Sequence, residues 1–168
     1  MKRLIPLFVL AGIVALVVAL SSGGSKNQSA NAHAGGAYGG KSSTAAPAGA
    51  AIDVRATALG RTLVDTKGRT LYLFEADKGT KSACDGACAS IWPPLVTKGK
   101  PTAGAGLTAS KLGTTKRADG TTALTYNGHP LYTYAGDTAA GQTSGQGLDD
   151  YGAEWYALSA RGDKIDNG

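Results

Sequence analysis

The residues best equipped for chemistry are few, and the first two are Cys84 and Cys88, in the stretch Lys78–Pro94, KGTKSACDGACASIWPP. They are the only cysteines in the chain. Thiols at this spacing can close a disulfide, cycle as a redox pair, or hold a soft metal. On a helical turn the Cα atoms of residues i and i+4 lie about 6 Å apart, inside the roughly 4.4–6.8 Å that a disulfide spans. The spacing is not C-x-x-C and no thioredoxin-like βαβ pattern surrounds it, which weighs against redox cycling. No third or fourth ligand stands nearby to complete a zinc site. A structural disulfide that orients the chain leading to Trp92 is the favoured reading.

The second candidate is the Gly-rich loop GQTSGQGLDDYGAEW, where Asp149, Asp150 and Glu154 could offer oxygen ligands to calcium, although no EF-hand register is visible. The third is His129, which sits in a turn before Pro130 and is expected to be exposed. No nucleophile elbow, phosphate-cradling loop or dinucleotide fingerprint accompanies it. The expectation is therefore a protein that is not an enzyme and that carries no cofactor or metal. Tyr72, Phe74, Tyr132 and Tyr134, with Trp92 and Trp155 as anchors, read as the core of a small β domain; the alternative is a tyrosine-lined groove for a sugar, peptide or aromatic ligand.

The elements that must position these residues are written twice. A shift of 60 carries Leu63–Asp77, LVDTKGRTLYLFEAD, onto Ala123–Asp137, ALTYNGHPLYTYAGD, without a gap. Gly68 falls on Gly128, Leu71 on Leu131, Tyr72 on Tyr132, Phe74 on Tyr134 and Asp77 on Asp137. Upstream, Ile52 meets Leu112 and Gly60 meets Gly120; after a three-residue insertion, Trp92-x-x-Leu95 meets Trp155-x-x-Leu158. On this alignment Ser144 and Leu148 stand where Cys84 and Cys88 do. Alternating Thr, Val, Leu and Tyr between Gly-containing turns indicate strands. Asn127-Gly128 is a strong hairpin signal, because both central residues of a type I′ turn need positive φ; Lys67-Gly68 is a weaker form of it.

Each unit reads as a three-stranded meander, a long loop, and a fourth short strand holding its Trp. The fold class is all-β: two tandem pseudo-repeats, 52–108 and 109–166, of about four antiparallel strands each, sharing one core as a sandwich or barrel-like closure. A repeat of this size would be marginal alone. Period-2 geometry places Tyr72 and Phe74 on one face of their strand and Leu71 and Leu73 on the other. Asp77 and Asp137 end their strands, where aspartate usually accepts backbone N–H bonds.

Ahead of the repeats, a basic head, Met1-Lys2-Arg3, precedes the uncharged run Leu4–Leu20. That pattern directs a chain to export. Residues 1–21 are expected to be a signal peptide, with Ala19 and Ser21 as small residues at a cleavage site, or an uncleaved membrane anchor through residues 4–20. Residues 22–51, rich in Ala, Gly and Ser, read as a flexible linker. Four of the 17 basic residues, Lys2, Arg3, Lys26 and Lys41, lie before residue 52, while all 12 acidic residues follow it, so the net charge of +5 shrinks to +1 on the domain. Nucleic acid, which needs a basic patch on the folded part, is disfavoured as a partner.

The motif Y-x-[FWY]-x-x-D appears as Tyr72-Leu73-Phe74-Glu75-Ala76-Asp77 and as Tyr132-Thr133-Tyr134-Ala135-Gly136-Asp137. With Cys84-Asp85-Gly86-Ala87-Cys88 and Trp92-Pro93-Pro94, it makes the chain resemble a bacterial family of secreted repeats, or predicted lipoproteins, that carries this motif. The resemblance covers about Ile52 to Ile165. It implies an exported, envelope-associated protein and no particular reaction. No cysteine follows the apolar run, so the lipid anchor of a lipoprotein has no attachment residue there. The function expected is a non-catalytic envelope module whose partner is a wall polymer, another protein or a small ligand. The alternative is an extracytoplasmic redox or metal-handling accessory using Cys84, Cys88 and the acidic loops.

Overall fold

β-branched and aromatic residues at alternating positions, punctuated by glycines that tolerate positive φ, build nine strands, one short α-helix and one 3-10 turn (Ala109–Lys111) among the described residues. The computed structural model describes residues 49–166, all within one compact unit. The expected export segment and nearly all of the expected linker lie outside the described residues. The strands are β1 (Ala51–Thr57), β2 (Gly60–Asp65), β3 (Tyr72–Phe74), β4 (Thr102–Ala103), β5 (Leu112–Lys116), β6 (Thr122–Tyr126), β7 (His129–Pro130), β8 (Leu148–Asp150) and β9 (Ala153–Ala157). The helix α1 is Ala87–Ile91. They form three three-stranded sheets in the orders β2-β1-β4, β3-β9-β8 and β5-β6-β7. The all-β expectation holds, with four strands in the first repeat and five in the second.

Two of these sheets each belong to one repeat, and the third mixes them. β3 of the first repeat pairs antiparallel with β9 of the second. Leu95 of the first repeat donates its N–H to the Leu131 carbonyl and accepts from the Leu124 N–H, both at 2.8 Å, inside the second repeat. Leu158 does the mirror operation in the first, donating to Leu71 and accepting from Leu63. The leucine that follows each tryptophan is therefore bonded inside the neighbouring repeat. Tyr72 and Tyr132 exchange backbone hydrogen bonds of 2.9 and 3.0 Å where the two halves meet.

This exchange corrects the ungapped alignment. Leu63 is the counterpart of Leu124, not of Ala123, because each donates its N–H to the carbonyl of the leucine that follows the partner repeat's tryptophan. The turn after β5 is one residue longer than the turn after β1: Arg117 pairs with Thr121 around three residues, whereas Thr57 pairs with Gly60 around two. The next hairpin compensates. Tyr126 pairs with His129 around Asn127-Gly128, whereas Asp65 pairs with Arg69 around three residues. The two changes cancel by Leu71 and Leu131, which hides a one-residue slip through β2 and β6. A slip of one residue in a strand exchanges its faces, so the distinction decides which side chains are inside.

Two clusters fill the interior, and both draw on both repeats. One is aliphatic with two tyrosines: Ile52, Leu63, Leu71, Leu73, Leu124, Tyr126, Leu131, Tyr156 and Leu158. The other is aromatic, built around Tyr72, Phe74, Trp92, Tyr132 and Trp155, with Cys84 and Cys88 beside them. The alternation along β3 sorts Leu71 and Leu73 into the first cluster and Tyr72 and Phe74 into the second, as the period predicts. Among the described residues no helix is long and apolar enough to cross a membrane.

Candidate functional site

The motif residues converge on the seam between repeats, and they do so in exchange. Tyr72 donates its hydroxyl proton to Asp137 Oδ2 at 2.6 Å, and Tyr132 donates to Asp77 Oδ2 at 2.9 Å. The tyrosine of each copy is completed by the aspartate of the other. The second carboxylate oxygen of each aspartate holds the loop that follows it: Asp77 Oδ1 accepts from the Ala83 N–H at 2.7 Å, and Asp137 Oδ1 from the Ser144 N–H at 2.9 Å. Backbone N–H bonding was legible in the sequence for both aspartates. The bonds across the repeats were not. The same bonds make Ser144 the counterpart of Ala83, so Gly145 rather than Ser144 stands where Cys84 does.

Burial pushes the Tyr72 hydroxyl far above the usual phenol range, with the Asp137 carboxylate adding to it. Tyr132 is raised chiefly by burial too, and the nearby Asp77 carboxylate adds. Both phenols stay protonated and act as donors. Burial also lifts the Asp77 carboxyl to about 6, against the stabilising hydrogen bonds from Ala83 and Tyr132 and the charge of Arg117. Its unfolded value is near 3.9, so between about pH 4 and pH 6 the folded state binds more protons than the unfolded one. The extra stability should therefore be fully present below about pH 4, be lost as the pH rises through that window, and level off above about pH 6. Allowing for the partial exposure of this carboxylate, the change is on the order of 1–2 kcal/mol. Urea midpoints at pH 7 and pH 4.5 should separate in the wild type and converge in Asp77→Asn; parallel behaviour of the two proteins would exclude Asp77 as the source.

Each repeat's second aromatic stacks on the other repeat's tryptophan. Phe74 lies on Trp155 at 4.1 Å between centroids, Trp155 on Trp92 at 4.0 Å, and Trp92 on Tyr134 at 4.4 Å. Four rings form one column. Tyr72 and Tyr132 meet Trp92 and Trp155 edge-on at 5.4 and 5.2 Å, a geometry that sets positive ring edges against negative faces. Asp150 serves both indoles, its Oδ2 accepting from Trp92 Nε1 at 3.4 Å and its carbonyl from Trp155 Nε1 at 3.1 Å. A Cβ on Gly145 would come within 2.7 Å of the Trp92 ring, which explains a glycine there. Trp92 was expected on a strand; it caps the C-terminal end of α1, its N–H bonded to the Cys88 carbonyl. Trp155 does lie on a strand, β9.

Cys84 and Cys88 form a disulfide with Cα atoms 5.3 Å apart, and both residues are buried. The loop that carries them is gripped by Arg117, whose side chain is 1% exposed. Its guanidinium donates to Ser82 Oγ at 2.5 Å, the Cys84 carbonyl at 2.7 Å, Asp85 Oδ1 at 3.1 Å and Asp119 Oδ2 at 3.2 Å. Ser82 in turn lies 2.7 Å from the Tyr132 hydroxyl. Arg117 escaped the sequence reading because a single arginine in a turn gives no periodic or spacing signal. Arg117→Met should cost about 2 kcal/mol in urea unfolding, less than the roughly 3–5 kcal/mol for breaking a fully buried pair, because Asp85 and Asp119 are half exposed and can be rehydrated. Arg117→Lys should recover little, since a point charge cannot reproduce the fork. Full recovery by Lys would reduce the contact to simple charge.

The remaining candidates do not gather. His129 is half-buried at the start of β7 rather than in an exposed turn, and burial holds its imidazole below the usual range. Asp149 and Asp150 lie on β8, and Glu154, on β9, accepts from the Tyr156 hydroxyl. Among the described residues no three His, Cys, Asp or Glu side chains are placed to share a metal. The β8–β9 hairpin itself was missed. It turns on Tyr151-Gly152, with Tyr151 at φ 59°, a conformation that its residue type disfavours.

The repeat seen here is also a family signature. A family model described as a secreted repeat of unknown function matches residues 54–96 and again 113–159. The chain belongs to this family of secreted repeats. The two matches span both motif copies and both tryptophans, so the secreted-repeat signature takes in the Tyr–Asp exchange and the ring column. No curated protein and no solved structure matches the chain.

Proposed function

We propose that this secreted repeat protein is a non-catalytic module of the cell envelope, binding a wall polymer, another protein or a small ligand. The observation that carries the reading is the reciprocal Tyr–Asp exchange. It turns the motif side chains inward as bracing between repeats, so recognition falls to loops and sheet edges held on a rigid frame. The domain stands outside the cytoplasm, either free or tethered through residues 4–20. The alternative, a redox or metal-handling accessory, draws less support, because buried sulfurs are poorly placed for exchange with an external thiol.

The test is retention of the full chain on an isolated envelope fraction, compared with a Cys84→Ser/Cys88→Ser variant. Binding should survive in the variant, with stability lowered by on the order of 1–2 kcal/mol for a loop this short. A disulfide potential near −200 mV, in the range of working pairs, together with loss of binding in a folded double variant, would favour the redox reading instead.

A further inference from the structure

The two repeats treat one sheet edge differently. In the first, the outer edge of β1 is filled: β4 adds to it in parallel, Thr102 donating to the Ala50 carbonyl at 3.1 Å and Gly104 to the Ile52 carbonyl at 2.8 Å. In the second, β5 is the counterpart of β1, with Leu112 standing for Ile52, and among the described residues β5 is the edge of its sheet. The direction of its open groups follows from the ladder. Asn127 donates to the Lys111 carbonyl and Arg117 to the Thr121 carbonyl, so the odd-numbered residues 111 to 117 bond inward to β6. In an antiparallel pair the intervening residues point the other way. Thr114 and Lys116 therefore present their N–H and C=O groups outward, and Leu112 its C=O, its N–H being bonded to the Ala109 carbonyl.

A groove of about 500 Å³ borders that edge, lined on one side by Leu112, Gly113 and Thr114 and on the other by Lys100–Ala103. Its size lies within the roughly 300–1,000 Å³ of small-ligand sites. Among the described residues no carboxylate lines it, Lys100 does, and Lys116 closes the strand. Lysine on an edge strand discourages two copies of that edge from pairing, which disfavours a second copy of this chain and favours an occupant of opposite charge.

We propose that the open edge of β5 docks an extended acidic segment of a partner protein, which adds to β5 as β4 adds to β1. Backbone bonds to Thr114, to Lys116 and to the Leu112 carbonyl supply affinity, and Lys100 and Lys116 select carboxylate side chains. This deepens the reading of the chain as a binding module and rests on it.

The probe is an eight-residue peptide alternating Thr and Glu, with its Thr/Lys counterpart as control, titrated into the full chain by calorimetry and followed by amide hydrogen exchange. The acidic peptide should bind with a submillimolar Kd and slow exchange within 112–116. Thr114→Pro removes one outward N–H at an edge position where proline is tolerated, and should weaken binding at least tenfold. Lys100→Glu/Lys116→Glu should do the same without touching the backbone, which covers the case of a proline variant that fails to fold. Equal binding of both peptides, protection elsewhere, or a concentration-dependent dimer that Thr114→Pro dissolves would overturn the proposal. Envelope binding undiminished in both variants would overturn the edge alone and leave the module reading standing; loss of envelope binding by the wild type would remove that reading itself.

Discussion

Trp155→Ala should cost about 3–5 kcal/mol, the range for truncating a fully buried large aromatic, and is expected to be the most damaging single change in the domain. Trp155 is fully buried and touches three rings at once, Phe74 and Trp92 face-on and Tyr132 edge-on. Domains of this size are stable by only about 5–15 kcal/mol, so the loss removes a large share. Trp92→Ala should behave alike, since it stands between Trp155 and Tyr134. The double variant should lose less than the two single losses combined, because the first removal already destroys the contact the second would break. Urea unfolding of the four proteins measures this; a Trp155→Ala loss below about 1 kcal/mol would mean that the column contributes little.

The second large effect concerns the crossed Tyr–Asp bonds. Asp137→Ala leaves the buried Tyr72 hydroxyl and the Ser144 N–H without their acceptor. At about 1–3 kcal/mol per unsatisfied group, the combined loss should be on the order of 2–4 kcal/mol. Tyr72→Phe should cost a comparable amount, since it strips Asp137 Oδ2 of its donor and the buried Gly145 N–H of its acceptor. The informative quantity is the coupling in double-mutant cycles. Tyr72→Phe with Asp137→Asn should couple by at least about 1 kcal/mol, and Tyr132→Phe with Asp77→Asn likewise. Tyr72→Phe with Asp77→Asn, both within one motif copy, should be nearly additive. The reverse pattern, coupling within a copy and additivity between copies, would disprove the exchange.

How much of this was legible follows from where the information sits. Period-2 alternation along Leu71–Phe74 placed aliphatic and aromatic side chains in separate clusters, because a strand's faces are fixed by local geometry. The Asn127-Gly128 turn was readable for the same reason. The helix before Trp92 was not: its sequence, Ala87–Ile91, is one short turn whose position depends on the disulfide and on Arg117 from the other repeat. The slip between β2 and β6 escaped because two length changes of opposite sign restore the register within twenty residues. Partners across the seam, such as Tyr72 with Asp137, were out of reach, since repetition shows that two units are alike and says nothing of which half completes which.

That crossed arrangement has a kinetic consequence. The bonds that close the first half, from Tyr72 to Asp137 and from Leu63 to Leu158, join residues 65 to 95 positions apart. A chain delivered to the outside N-terminus first cannot finish its first repeat when that repeat emerges, because the tryptophan and aspartate that complete it have not yet arrived. The leading half must wait, open and unable to lock, until Trp155 and Leu158 are through. High contact order of this kind slows folding, and here it places the last event of assembly at the last stretch of chain to appear. On this topology the first repeat should stay open until β9 arrives, and the final strand should close it.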